Sequence, residues 1–289
     1  MIDFSIVIQV LNRKDFIKRS IESILIQDFK SYEILVVDNG STDGTLNVLK
    51  QYEKSGKIKL YLCLNKGVSY ARNMGITKAR GQFIHILDSD NYFTNQYSLH
   101  NLRKIIEGLS NNWEVILTSN INTNGNSISN SPCYNVFMTH NDYLKTSGEF
   151  SITAKTSWYL NNLHPEIENV THEIIFPAFL ISAKRKNLYL SDHNVQTYSV
   201  EAPNRLSSAD LTQQQIINYV YYYKYSIEAI FSLLTFKHKL IYINKFFIYN
   251  RLYGGGLSLK VNFFYNLFSV FYTLIPRSIV LNFVKRMRK

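Results

Sequence analysis

Four short apolar runs, each ending in polar residues, constrain the fold of this chain more than any other feature. Ser5-Ile6-Val7-Ile8 is followed by Asn12, and then Phe16, Ile17, Ser20, Ile21, Ile24 and Leu25 recur at helical spacing behind Asp15, a candidate cap. Ile34-Leu35-Val36-Val37 is a β-branched run bounded by Asp38-Asn39-Gly40, with Leu46, Leu49 and Tyr52 marking a helix started by Ser41 or Thr42. Ile58 to Leu64 gives a third strand, Ser69 to Ala79 a third helix, and Phe83-Ile84-His85-Ile86-Leu87 a fourth strand ending at Asp88. Strands alternating with helices predict an α/β fold with a doubly wound, mostly parallel sheet.

Sheets of this kind bind ligands outside the carboxyl ends of their strands. The residues there are Asn12 after the first strand, Asp38 and Asn39 after the second, Asn65 and Lys66 after the third, and Asp88 and Asp90 after the fourth. Beyond residue 110 the pattern loosens, and the Asn/Ser-rich stretch from Ser119 to Asn130 reads as a loop.

Charge divides the chain. Residues 206–289 hold 11 Lys and Arg against only Asp210 and Glu228, whereas residues 1–205 are close to neutral. This places a boundary near Arg205, between a catalytic domain over 1–205 and a helical, aromatic and basic region over 206–289. In that region Phe264, Leu267, Phe268, Phe271, Leu274 and Ile275 fall on one helical stripe, continued by Ile279, Val280, Phe283 and Val284 and closed by Lys285, Arg286, Arg288 and Lys289. A span needs ~20 largely apolar residues, and Asn262, Asn266, Pro276, Arg277 and Asn282 interrupt this one. The expectation is an amphipathic anchor on an anionic membrane surface. The alternative is a stripe packed on the catalytic domain or on a sister subunit of a homo-oligomer. No nucleic-acid-binding motif accompanies the charge, so no nucleic-acid partner is expected. Only Cys63 and Cys133 are present, too few for a disulfide framework, and the start lacks the pattern of a signal peptide. The expected location is cytoplasmic, peripheral on the inner face of the cell membrane.

At this point a family resemblance takes shape. Ser5 to Asn12 and Ser20 to Phe29, then Glu33-Ile34-Leu35-Val36-Val37-Asp38-Asn39-Gly40-Ser41-Thr42-Asp43-Gly44-Thr45, resemble the opening of family 2 glycosyltransferases, the large inverting family with the GT-A fold. Asn65 to Ile76, Ala79-Arg80-Gly81 and Leu87-Asp88-Ser89-Asp90-Asn91 resemble the stretch leading into that family's metal motif. The likeness is close over roughly the first third and loose over residues 165–205. It implies a nucleotide diphosphate sugar donor, UDP- or dTDP-linked, and a glycan or lipid-linked acceptor in cell-surface polysaccharide biosynthesis.

Asp88 and Asp90 are hard oxygen ligands that suit Mg²⁺ or Mn²⁺, which can neutralise the charge growing on a leaving diphosphate. By resemblance Asp90 is the direct ligand, with Asp88 close to sugar, ribose or metal. Gln9, Asn12, Asp38, Asn39 and Arg72 join Asp88 as the candidate nucleotide-sugar set. Asp38 would accept from the nucleoside, and Arg72 would pair with phosphate or base. The family usually has a second acid where this chain has Asn39, and Leu11 replaces an aromatic near the base, so thymine stands beside uracil. Inversion needs a base for the acceptor hydroxyl. Val170-Thr171-His172-Glu173-Ile174-Ile175-Phe176 resembles the segment carrying it, which implies Glu173 as base with His172 beside it in place of an acid. His172 itself, Glu166 and Glu168 remain alternatives for the base. Two further readings compete: a nucleotidyltransferase, disfavoured because Gln9 to Lys14 contains no glycine, and a non-catalytic nucleotide-binding membrane-associated scaffold, motivated by Leu11, Asn39 and His172.

Overall fold

The structure, a computed structural model, describes residues 2–64, 66–167, 170–171, 174–199, 212–254, 257, 279 and 280. The alternating half is β1 (Phe4–Val10), α1 (Lys14–Leu25), β2 (Tyr32–Asp38), α2 (Thr45–Lys54), β3 (Lys59–Leu62), α3 (Val68–Lys78) and β4 (Phe83–Ile86). There follow β5 (Tyr92–Phe93), α4 (Ser98–Gly108), β6 (Val115–Asn122), β7 (Ser129–Asn130), β8 (Val136–Phe137), α5 (His140–Tyr143), β9 (Ser147–Gly148), β10 (Phe150–Lys155) and α6 (Thr156–Asn161). Then come α7 (Phe176–Lys184), β11 (Leu188–Tyr198), α8 (Gln213–Ile230) and, after a single 3-10 turn at Phe231–Leu233, α9 (Phe236–Tyr253).

The main sheet runs β3-β2-β1-β4-β10-β6-β11-β5, with β8 also on β11. Strands β3, β2, β1 and β4 pair with one another in parallel, as alternation with helices predicts. The second half is mixed, because β10 inserts antiparallel between β4 and β6 while β6 and β11 pair in parallel. β5 and β8 pair antiparallel with β11.

Local chemistry moves three boundaries from their expected places. Asp15 does not cap α1; it lies inside the first turn, where its charge favours the helix N-terminus, and Arg13 takes the capping position without a side-chain bond. The second helix starts at Thr45 instead of Ser41 or Thr42. Asp38 Oδ1 accepts from the Ser41 N–H at 3.1 Å and Asp43 Oδ1 from the Thr45 N–H at 2.9 Å, so side-chain turns claim these residues until Gly44, at φ +97°, lets the helix begin. The Ser119–Asn130 stretch is not all loop. β6 continues to Asn122, the chain turns where Asn122 Oδ1 accepts from the N–H groups of Asn124 and Asn126, and β7 pairs with β9.

Alternate faces of the strands build the core. Ile17, Ile21 and Ile24 of α1 are buried with Phe4, Ile6 and Ile8 of β1 and Ile34 and Val36 of β2. Each fully buried apolar side chain of this size contributes roughly 1.5–3 kcal/mol. Helix α3 lies so close to β1 that a Cβ on Gly75 would stand 2.4 Å from Val7 Cγ1.

The chain divides into two compact units, Met1–His164 with Ala178–Pro203, and Pro165–Pro177 with Asn204–Lys289. The expected boundary residue Arg205 lies outside the described residues. The second unit has its own core of Ile216, Val220 and Ile227 from α8 and Phe246, Phe247 and Leu252 from α9. Its tyrosines stack, with Tyr219 and Tyr223 at 4.8 and 5.9 Å from Tyr249. Thr212 and Gln215 form a capping box at the start of α8. The stripe from Phe264 to Val284 lies outside the described residues except for Ile279 and Val280.

Gly81 gives a stability test of the close approach between the turn before β4 and β1. A Cβ there would meet Ser5 N at 2.6 Å and Phe4 C at 2.8 Å, backbone atoms that cannot step aside. Gly81→Ala should lower unfolding stability by about 1–3 kcal/mol in urea titration. Gly108→Ala, with nothing within 4 Å of the new methyl, should be neutral or slightly stabilising. Equal midpoints for the two variants would contradict this packing.

Candidate active site

After β3 the chain crosses back to place β4 on the other side of β1, so the carboxyl ends of β1 and β4 form a topological switch point, the place where open sheets bind ligands. Gln9, near the end of β1, spans it by donating from Nε2 to Asp88 Oδ1 at 2.7 Å. Arg72 comes from α3 and donates to the same oxygen at 2.6 Å. The guanidinium is nearly enclosed while the Asp88 carboxylate keeps an open face, so the pair is a charge-assisted bond in a partly dry setting. Arg72 therefore sits against Asp88 at the switch point.

Asp90 is met from the other side. Arg13 Nε lies 3.6 Å from Asp90 Oδ2. The backbone of this turn is pinned from below: Ser20 Oγ approaches the carbonyls of Ser89 at 3.0 Å and Asn91 at 2.6 Å, and Arg19 donates to Asp90 O at 3.3 Å and to Ser199 Oγ at 3.0 Å. Arg19 also stacks 4.4 Å above the Tyr92 ring. Asn91 Oδ1 accepts from the Ser199 N–H at 3.1 Å, which ties the end of β11 to the same turn.

At the end of β2, Asp38 is buried and accepts the Ser41 hydroxyl at 2.5 Å. Asn39 Oδ1 accepts the Lys66 N–H at 3.0 Å and the Cys63 thiol at 3.2 Å. A backbone N–H can only donate, so the amide orientation is fixed and Nδ2 is the end left for other partners. Burial first, then the Asp38 charge, pushes the Cys63 thiol up, which keeps it a donor. Asn12, at φ +53°, links loops: its N–H donates to Ser41 Oγ at 2.9 Å and its Oδ1 accepts the Thr42 N–H at 2.8 Å. Gln9, Asn12, Asp38, Asn39, Arg72, Asp88 and Asp90 thus gather at the carboxyl ends of β1, β2 and β4. His172 and Glu173 lie outside the described residues, as does Glu168.

Several residues of this site were not singled out by sequence reasoning. Ser20 had a signal, a hydroxyl within an otherwise apolar helical stripe. Arg13 had a weaker one, a cation directly after the first strand's polar end. Arg19 had none, because its partners are backbone and hydroxyl groups brought from Asp90 and Ser199.

Among the described residues no group of three His, Cys, Asp or Glu side chains forms a closed cation cage. Two carboxylates on a fixed turn fit Mg²⁺ or Mn²⁺ nonetheless, because such ions are commonly held by one or two carboxylates, waters and substrate phosphates. Asp88 Oδ1 is met by Gln9 and Arg72, and Asp90 Oδ2 by Arg13.

The sequence profile of glycosyl transferase family 2 matches residues 5–163, more than half of the chain. The chain belongs to this family. An uncharacterised glycosyltransferase of Rickettsia felis is 42% identical over 89 residues, 31% of this chain and 15% of that protein. TuaG of Bacillus subtilis, a putative teichuronic acid biosynthesis glycosyltransferase, is 38% identical over 30% of this chain and 35% of its own. WfaP of Escherichia coli, named a UDP-Glc:α-D-GlcNAc-diphosphoundecaprenol β-1,3-glucosyltransferase, is 35% identical over 37% and 45%. The matched stretch therefore spans less than half the length of these relatives. Among solved structures, Staphylococcus aureus TarS 1–349 with UDP-GlcNAc superposes with TM-score 0.62 at 20% identity over 94% of this chain and 79% of that one. The mannosyltransferase PcManGT of Pyrobaculum calidifontis, with GDP-Man and Mn²⁺, gives 0.56 at 15% over 99% and 87%. These establish the GT-A fold.

Behind the site, His85 of β4 is fully buried between Thr153 and Gln196. Gln196 Nε2 lies 3.0 Å from the Ile86 carbonyl, which can only accept, so Gln196 presents its NH₂ on this side and also donates to His85 Nε2 at 2.7 Å. The imidazole proton is then on Nδ1 and goes to Thr153 Oγ1 at 2.7 Å. Burial lowers the imidazole from 6.5 to about 3. Between those values the unfolded chain binds a proton that the folded chain refuses, so this stability is complete above pH 6.5 and is lost as pH falls towards 3. Going from pH 7 to 5 should cost about 2 kcal/mol through His85 alone. Urea unfolding of His85→Gln at the two pH values should show a loss smaller by that amount, and an unchanged loss would mean that His85 is not held neutral.

Proposed function

We propose that this chain transfers a glycosyl unit, with inversion, from a UDP- or dTDP-linked sugar to a glycan or lipid-linked acceptor in cell-surface polysaccharide assembly. The observation that carries the reading is the placement of Asp38 after β2, and Asp88 and Asp90 after β4, around the switch point in a chain of this family. The ligands and names of the similar proteins support it: UDP-GlcNAc with TarS, GDP-Man and Mn²⁺ with PcManGT, a diphosphoundecaprenol-linked acceptor in the name of WfaP.

In this reading Asp38 accepts from the nucleoside, and Asp90 with Asp88 faces the donor diphosphate. Mn²⁺ or Mg²⁺, when bound, supplies charge neutralisation as the diphosphate leaves. Arg72 and Gln9 hold the Asp88 carboxylate in one orientation without ligand, so the site is organised before the donor arrives. Glu173 is the base for the acceptor hydroxyl and His172 orients it, a role drawn from the resemblance of residues 170–176. The basic, aromatic last third places the enzyme on an anionic membrane surface at the cytoplasmic face. Among the described residues no helix is long and apolar enough to cross a membrane.

Excess EDTA should abolish turnover, and Asp90→Asn should remove most turnover together with metal-dependent nucleotide binding. Full activity in EDTA would refute the metal assignment. Glu173→Gln keeps the side chain's shape but removes the proton acceptor, so turnover should fall ~100-fold or more while donor affinity by calorimetry barely changes. His172→Asn should be milder. Collapse of the His172 variant with a near-normal Glu173 variant would transfer the base role to the histidine.

A further inference from the structure

We propose that Arg13 is a built-in counter-ion that holds Asp90 while the metal is absent, is displaced from it by the divalent cation, and then serves the donor diphosphate. The inference rests on the metal reading above and assigns a role to a residue outside the metal motif.

Three observations carry it. Arg13 Nε stands 3.6 Å from Asp90 Oδ2, and both side chains are only about one-sixth exposed, 16% and 15%, so the pair is much less screened than a surface ion pair. The Arg13 backbone cannot drift: its N–H donates to Thr45 Oγ1 at 2.9 Å, and the neighbouring Asn12 is stitched to Ser41 and Thr42. The side chain also donates from Nη1 to the Asn12 carbonyl at 3.0 Å, so it has a second resting contact on its own side of the crevice. The guanidinium therefore reaches from the β1 end, beside the nucleotide turn, to the metal turn after β4.

Charge explains the exchange. Without ligand, Arg72 faces Asp88 and Arg13 faces Asp90, so each carboxylate has a cation beside it. A divalent cation on Asp90 brings two positive charges to a place already occupied by one, and like charges at this separation repel strongly in a partly dry site. Arg13 must leave Asp90, yet its anchored backbone limits it to the length of its own side chain. The incoming diphosphate adds the negative charge that the displaced guanidinium can meet, and a planar guanidinium suits phosphate oxygens. Arg13 thus opposes metal binding alone and favours metal together with nucleotide, which is a coupling between two ligands with opposite signs in the two steps.

The test is calorimetry of the full chain with Mn²⁺ alone, then with UDP or dTDP at saturating Mn²⁺. Arg13→Gln should bind Mn²⁺ alone about tenfold more tightly than the wild type and the nucleotide about tenfold more weakly. Arg13→Lys, which keeps the charge on a shorter reach to the anion, should fall between wild type and Arg13→Gln in both measurements. Mn²⁺ affinity of Arg13→Gln within twofold of a wild type that does bind the ion would overturn the inference and leave the metal reading standing. No Mn²⁺ binding by the wild type would sink both.

Discussion

Three carboxylates at the ends of β2 and β4, the two strands that flank β1, repel one another, and the way this repulsion is met shapes the site. Asp38 is stabilised by the Ser41 N–H and hydroxyl, Asp88 by Arg72 and Gln9, and Asp90 has Arg13 beside it. Every compensating group comes from a different element: the turn after β2, helix α3, strand β1 and the start of α1. The site is therefore a product of the sheet order, since only β1 between β2 and β4 brings these elements within reach of one another. Asp38 and Asp88 are thereby held in place without ligand, which is the preorganisation that charge stabilisation needs.

The turn that carries Asp88 and Asp90 is fixed from behind as firmly as its carboxylates are met in front. Ser20 approaches two of its carbonyls, Arg19 a third, and Asn91 receives the Ser199 N–H. Strand β4 leading into it is tied through neutral His85 to β10 and β11. Burying a histidine is tolerable because both ring nitrogens are satisfied and it stays uncharged. Nearby, His164 is likewise held at about 3 by burial and then by the Arg72 charge, while Asn73 of α3 exchanges two 2.9 Å bonds with the His164 backbone. The neutral His164 ring beside Arg72 adds no second positive charge to compete with the Arg72–Asp88 bond.

How much of this the residues announced depends on the range of the interaction. The parallel half was legible because each strand and helix carries its own period, and the polar ends of the apolar runs marked Asn12, Asp38, Asn39, Asp88 and Asp90 directly. The antiparallel β10 was not legible. Phe150–Lys155 is a short alternating strand whose place is set by β4 and β6, residues thirty or more positions away. The helix starts were misplaced for a local reason that spacing does not reveal, since Asp38 and Asp43 spend their oxygens on turn N–H groups. Arg19 and Arg13 were missed because a cation on a helix's first turns is usually solvated, and only the assembled crevice shows what faces it.

Asn39 shows how such wiring alters chemistry without altering the fold. Its Oδ1 takes the Lys66 N–H and the Cys63 thiol, the donors that an acid in its place would also take. An acid would add a second negative charge beside the buried Asp38 and raise the cost of both. The amide avoids that repulsion and leaves a nitrogen, a donor, for other partners. Under the proposed donor reading the base edge facing Asn39 must therefore present an acceptor, where an acid would have demanded an N–H. Uracil and thymine both carry such carbonyls and differ only in a methyl group, so residue 39 does not choose between them. By the family resemblance, Leu11, 38% exposed just after β1, takes the place of an aromatic near the base. A leucine there leaves room and an apolar surface that a methyl group can use, whereas a stacked ring would fill the same space for either base.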